Sequence, residues 1–394
     1  MDILIKPALL RGEIAAVTSK SEAHRLLICA ALADRPTEII MRTSSADIDA
    51  TIGCLRALGA KIEPSAQGAV VTPITSPAEN ALSHCTADCV ESGSTLRFLL
   101  PVAAALGVRT HFTGSGRLPE RPIGALTAQL AAHGVSFSSD CLPFTLSGRM
   151  TGGKFKLPGD VSSQFITGLL LALPLCGGGE IALTSPLESA SYVDITRAAM
   201  REFGVEVTAC GSRFIVGGEP YRSPAHIQAG GDWSNAAFFL AAGALGGEVN
   251  VTGLDMASPQ GDRAVIELLR RFGAEITVNG DNVTARKTGD LHACGIDLTD
   301  VPDLLPILAI AAAAAKGKTL FTGGRRLRLK ESDRITSTAA MIRSLGGIAE
   351  ELPDGLAITG SPLTGGAVDS FNDHRIAMSA AIAAIICGGE VTIT

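Results

Sequence analysis

Polar clusters and long apolar runs alternate along the chain, and the alternation repeats. Six segments open on a small polar cluster, continue as an Ala/Leu-rich stretch, and reach Gly before a strand-like run. They are "SKSEAHRLLICAALA" from Ser19, "ESGSTLRFLLPVAAALG" from Glu91, "SSQFITGLLLALPLCGG" from Ser162, "DWSNAAFFLAAGALGG" from Asp232, "DLLPILAIAAAAAKG" from Asp303 and "NDHRIAMSAAIAAIICGG" from Asn372. Being apolar nearly all round, these stretches predict helices buried at a domain centre. Their starts recur about every 70 residues, which is long for a solenoid unit and suits a small αβ module.

A second element lies between them: an amphipathic helix that ends on Gly and runs into a β-branched strand. Its copies are "CLRALGAKIE", "QLAAHGVSFS", "MREFGVEVT", "LRRFGAEITV" and "IRSLGGIAEE". Five copies stand against six of the first kind. The chain reaches "GGEVTIT" where a sixth would begin, so the pattern predicts a last module short of about 30 residues. Six modules grouped in threes make two domains, with a break near "AHIQAGGDW".

Composition narrows the class. The 394 residues are 46% hydrophobic and only 18% charged, with nine cysteines and a formal net charge of -6. No Lys/Arg run accompanies that charge, which argues against a nucleic-acid partner. The uncharged run near Leu304 to Ala315 contains Pro306 and falls short of the roughly 20 residues that span a bilayer. "MDILIKPALLRGEIAAV" lacks a secretory pattern, so a cytoplasmic chain with reduced thiols is expected. Cys85 and Cys89 of "CTADC" have no second pair at zinc-finger spacing, and no metal is expected.

Against this sparse charge, "LKESDRI" packs Lys330, Glu331, Asp333 and Arg334 together. Ser332 and Asp333 suit a helix cap, and Ile335, Ala339, Ile342 and Leu345 its buried face. Taken alone, the cluster would be a solvated helix start. The first-type helices likewise open on Ser, Asp or Asn, so capped positive ends with free amides could converge on an anion. "VSSQF" offers hydroxyl and backbone donors to a phosphate, although adjacent serines often only cap.

These motifs, taken in order, resemble one family. "SKSEAHR", "ESGSTLR", "RPIGAL", "VSSQF", "GDWSNAAFFLAAGA", Pro302-Asp303, "KESDR" and "NDHR" are similar to the set in 5-enolpyruvylshikimate-3-phosphate synthases, across essentially the whole chain. The resemblance implies an α/β (α+β) enolpyruvyl transferase fold of six βαβαββ repeats, three per domain around buried helices. Domain I would comprise 1–18 plus 229–394 and domain II 19–228, closing over a cleft when the acceptor binds. It implies transfer of the enolpyruvyl group of phosphoenolpyruvate to the 5-hydroxyl of shikimate 3-phosphate, with release of phosphate, by a monomer without metal or organic cofactor. Glyphosate competes at the phosphoenolpyruvate site in this family.

Site residues follow from the resemblance. Phosphoenolpyruvate would be held by Lys20, Gly93, Arg121, Gln164, Arg334 and Arg375. Shikimate 3-phosphate would be held by Ser21, Arg25, Ser162, Ser163, Gln164, Ser189, Asp303 and Lys330, with Tyr192 a weaker candidate. Asp303 is the expected general base, and Lys20 with Glu331 the acid side. Arginine suits such anions because its fork matches carboxylate and phosphate oxygens in pairs.

Other signals fail. "AAAAAKGKT" has Ala312 where a phosphate-binding loop needs Gly, "GSGRLPE" lacks a third glycine, and no nucleophile elbow accompanies His24 or His374, the latter an orienting or structural neighbour of Arg375. Two alternatives stay open at this point. The sister transferase acting on UDP-N-acetylglucosamine typically has Lys-Asn where Lys20-Ser21 stand here, and a cysteine that "GSGRLPERPI" lacks. A truncated, non-catalytic binder of phosphorylated metabolites would keep Arg25 and "VSSQF"; the early stop and the absence of the family's last lysine favour it.

Overall fold

Among the described residues, the strand-like runs pair into six small sheets. In the third module, Gly153–Leu157 lies parallel to Gly178–Leu183, and the hairpin Val207–Cys210 with Arg213–Gly217 returns antiparallel on the far side. With the helices Ser163–Ala172 and Ala190–Glu202 between its strands, this is a βαβαββ unit. The modules built on Cys85–Asp88 and on Gly295–Asp297 repeat the same order.

The computed structural model describes residues 2–75 and 85–394, and its contacts divide the chain into two units, Thr18–Gly230 and Met1–Val17 with Gly231–Thr394. The first and fourth modules explain the double crossing. His226–Gln228 supplies the first strand beside Thr37–Ile40, and Arg11–Ala15 the first strand beside Glu248–Thr252. Each unit therefore closes a module with a strand from its far end.

The unit Thr18–Gly230 holds helices α1 (Lys20–Ala31), α2 (Ala46–Ala57), α3 (Gly93–Leu106), α4 (Gly124–Ala132), α5 (Ser163–Ala172) and α6 (Ala190–Glu202). The other holds α7 (Trp233–Gly246), α8 (Val265–Phe272), α9 (Leu305–Ala314), α10 (Arg334–Ser344) and α11 (His374–Ala383). The odd-numbered helices are the apolar ones, and each unit has its own hydrophobic core built around them. Even-numbered helices turn one face inward: in α10, Ile335, Ala339 and Ile342 are fully buried, as is Leu345 at its end. The glycines ending this second element, Gly59, Gly134, Gly204, Gly273 and Gly346, all have positive φ, the conformation that stops the helix and admits the strand.

The sixth sheet differs. Gly366–Val368 lies parallel to Val391–Ile393, and the antiparallel place beyond it is taken by Ile3–Ile5 from the start of the chain. Among the described residues, no helix is long and apolar enough to cross a membrane.

Candidate active site

In the unit Thr18–Gly230, three apolar helices present capped N-termini. Ser19, Ser92 and Ser162 sit in extended backbone and accept the N–H of Glu22, Thr95 and Gln164. Lys20, Gly93 and Ser163 are then the first residues of α1, α3 and α5, at the positive ends of their helices. Lys20 Nζ donates to Asp47 Oδ2 at 2.6 Å.

Gly93, Arg97, Arg121 and Gln164 meet at the start of α3. A Cβ on Gly93 would stand 2.8 Å from Arg121 Nη1 and 2.9 Å from Arg97 Nη1, so its lack of a side chain lets both guanidinium groups lie over the helix end. Arg97 Nη1 donates to Gln164 Oε1 at 2.6 Å, and Gln164 Nε2 to Ser94 Oγ at 2.9 Å. Cations fixed beside free helix amides make a phosphate or carboxylate receptor. Arg97, although inside a quoted motif, was not singled out by sequence reasoning.

Arg25 is only 2% exposed. It donates to Thr196 Oγ1 (2.7 Å), Ser21 O (2.5 Å), Thr167 Oγ1 (3.3 Å) and Tyr192 O (2.9 Å), and so ties α1 to α5 and α6. Burial pulls its pKa down to about 10, against the partial support of Tyr192 and Glu22. Ser189, with φ of 53°, precedes α6 without capping it.

The other unit gathers Asp303, Lys330, Glu331, Arg334 and Arg375. Asp303 was expected to open its helix, but it lies in the turn Pro302–Leu304 ahead of α9, and no side chain caps α9. Its carboxylate instead takes Arg334 Nη1 on Oδ1 at 2.7 Å and Arg375 Nη2 on Oδ2 at 3.2 Å, with Lys330 Nζ 3.5 Å from Oδ1. Arg334, the first residue of α10, also donates to Glu331 Oε2 (2.7 Å) and Asp373 Oδ2 (2.8 Å). Burial opposes its charge, yet Glu331, Asp303 and Asp373 outweigh that and hold its pKa above the ordinary arginine value.

Asp373, rather than Asn372, caps α11, and it also accepts Ser332 Oγ–H at 3.0 Å. Its pKa is lowered, because Arg334 overrides the cost of burial. Asp333 caps α10 as expected. His374 is the exposed first residue of α11. Asp262 is buried in the turn Gly261–Ala264 and accepts the hydroxyl of Ser234. Burial and then Asp303 raise its pKa to about 6, against Arg375. Asp47, Asp262 and Asp373 escaped sequence reasoning; helix-cap grammar could have found Asp373, since an Asp stands directly before the apolar run.

A family model described as EPSP synthase (3-phosphoshikimate 1-carboxyvinyltransferase) matches residues 5–394. The chain belongs to the EPSP synthase family. It is 39% identical over 412 residues to a 3-phosphoshikimate 1-carboxyvinyltransferase of Methanocorpusculum labreanum, covering all of this chain and 94% of that protein. It is 40% identical over 403 residues to the protein of the same name from Clostridium novyi, covering all of this chain and 92% of the relative. Among solved structures, an EPSP synthase from Acinetobacter baumannii superposes with a TM-score of 0.82 at 27% identity, covering all of this chain and 93% of that one.

Proposed function

We propose that the Asp303 cluster and the Gly93 corner carry out carboxyvinyl transfer. The enzyme moves the enolpyruvyl group of phosphoenolpyruvate to the 5-hydroxyl of shikimate 3-phosphate and releases phosphate, a step of the shikimate pathway to aromatic amino acids. Addition requires that the hydroxyl lose a proton while the methylene carbon gains one; elimination of phosphate reverses both demands. The observation that carries the assignment is Asp303, a carboxylate with Arg334, Arg375 and Lys330 within 3.5 Å. Such a carboxylate is fixed in direction and suits the general base, with Glu331 and Lys20 on the acid side.

Lys20, Gly93, Arg121, Gln164, Arg334 and Arg375 then bind phosphoenolpyruvate. Ser21, Arg25, Ser162, Ser163, Gln164, Ser189, Asp303 and Lys330 bind shikimate 3-phosphate, with Tyr192 beside them. For Arg25 the support is chemical: a desolvated cation with neutral partners attracts an anion strongly. The same reading has the protein act as a cytoplasmic monomer without metal or organic cofactor. The test is phosphate release from phosphoenolpyruvate by the purified chain. Release with shikimate 3-phosphate and none with UDP-N-acetylglucosamine is expected; a folded chain that binds shikimate 3-phosphate but releases nothing would overturn it.

A further inference from the structure

His24 is 1% exposed and lies one helical turn after Lys20 in α1. Its Nδ1 is 2.7 Å from Thr51 Oγ1 on α2, and Thr51 Oγ1 is 2.7 Å from Thr95 Oγ1 on α3. Thr95 Oγ1 donates to Ser92 Oγ at 2.8 Å, with the carbonyl of Asp47 a second acceptor at 3.4 Å. Thr51, Thr95 and Ser92 are all buried. Four groups on three helices thus form one buried chain, ending on the cap of the helix that begins with Gly93.

Proton counting gives the chain a direction. A hydroxyl has one proton to donate. Thr95 spends its proton on Ser92 or on Asp47 O, so it accepts from Thr51. Thr51 has then spent its own, so it accepts from His24, and Nδ1 carries the hydrogen. Nε2 is left as a bare lone pair, and among the described residues this buried nitrogen has no hydrogen-bond partner. A charged imidazolium would need acceptors on both nitrogens. Burial first, then Lys20 and Arg25 of its own helix, press its pKa down to about 3, against Asp47 of α2.

We propose that His24 is a positioning residue for the phosphoenolpyruvate corner, its Nδ1–H starting a one-way hydroxyl chain that fixes the cap of α3 and the carbonyl of Asp47. This rests on the assignment of phosphoenolpyruvate to Gly93 and Arg121. Without the histidine donor, Thr51 is left short of a partner and Thr95 can turn back toward it, loosening Ser92 at one end and the segment bearing the Lys20 partner at the other.

The test compares His24→Phe, His24→Asn and Thr51→Val by steady-state kinetics with each substrate varied in turn. An asparagine amide places an N–H near the Nδ1 position, so His24→Asn is expected to stay within about twofold of wild type. His24→Phe is expected to raise KM for phosphoenolpyruvate about tenfold and to leave KM for shikimate 3-phosphate within about twofold, the size of one buried hydrogen bond. Thr51→Val should match it, and the double variant should be no worse than either. Equal loss in His24→Asn and His24→Phe, additive losses, or a rise in both KM values would overturn the proposal. Nitrogen NMR of the histidines, assigned by the signal missing in His24→Asn, decides the tautomer without turnover. A hydrogen on Nε2, or protonation near pH 6, sinks the chain. A wild-type protein that binds no phosphoenolpyruvate would overturn the substrate assignment instead, and the tautomer would still decide the hydroxyl chain.

Discussion

Arg25 in the middle of α1 and Arg334 at the start of α10 are both buried, one in each unit, and they solve the cost of burial in opposite ways. Arg25 donates to hydroxyls and carbonyls, and its pKa falls to about 10. Arg334 donates to three carboxylates, and its pKa rises. A buried cation with neutral partners keeps its field for an incoming anion, whereas one surrounded by carboxylates also holds those carboxylates in place. The difference lies in the partners, neutral oxygens around Arg25 and carboxylates around Arg334.

The largest effects should come from breaking the carboxylate scaffold. Asp303→Asn keeps the shape but removes the proposed base, and phosphate release is expected to fall by a factor of about 10² to 10⁴. A fall below tenfold would reassign Asp303 to structure alone. Arg334→Met leaves Asp303, Glu331 and Asp373 without their shared cation, and should lower stability by about 3–5 kcal/mol. Arg25→Met leaves only neutral acceptors unpaired, and should cost about 1–3 kcal/mol while weakening shikimate 3-phosphate binding. Urea unfolding of the two variants tests the contrast; equal midpoints would erase it.

Next in size is a pH effect of the scaffold. Asp262 has a folded pKa of about 6 against an ordinary 3.8. Between those values the folded chain holds more protons at this group than the unfolded one. Its contribution therefore favours folding most below pH 4 and is lost as pH rises through 6, by about 3 kcal/mol in all. Asp262→Asn removes that loss: the variant should be more stable than wild type at pH 7.5 and equal to it at pH 4. A variant less stable at pH 7.5 would show that the Asp262 charge is welcome beside Arg375.

The apolar helices of both units were legible in the pattern, because a buried helix must be apolar all round and its capped start must carry polar residues. Of the motif residues, Lys330, Arg334 and Arg375 gather on Asp303, and Glu331 joins them through Arg334. What stayed hidden were the partners. Asp373 stands 39 positions from Arg334, and Thr51 stands 44 from Thr95; such pairs are made by the packing of modules, and nothing local marks them. The pairing of Ile3–Ile5 with Val391–Ile393 joins the chain's two ends and was equally invisible. Asp303 misled for a physical reason, since an Asp before an apolar run looks like a cap until a pair of arginines claims it.

The smallest predicted effect concerns the backbone just ahead of each cap. Val90 has φ of 50° two residues before Ser92, and Asn372 has φ of 52° directly before Asp373. Asn tolerates the left-handed region, whereas a β-branched side chain there is strained by roughly 1–2 kcal/mol. Val90 is also 41% exposed, so it gains little from burial in return. Val90→Gly should stabilise the chain by about 1 kcal/mol once the added freedom of the unfolded glycine is subtracted, and Asn372→Gly should change stability by only a few tenths. Thermal unfolding distinguishes the two. If Val90→Gly stabilises but also raises KM for phosphoenolpyruvate, the strained residue helps hold the Gly93 corner, and the two units differ in the backbone ahead of their caps as well as in the partners of their buried arginines.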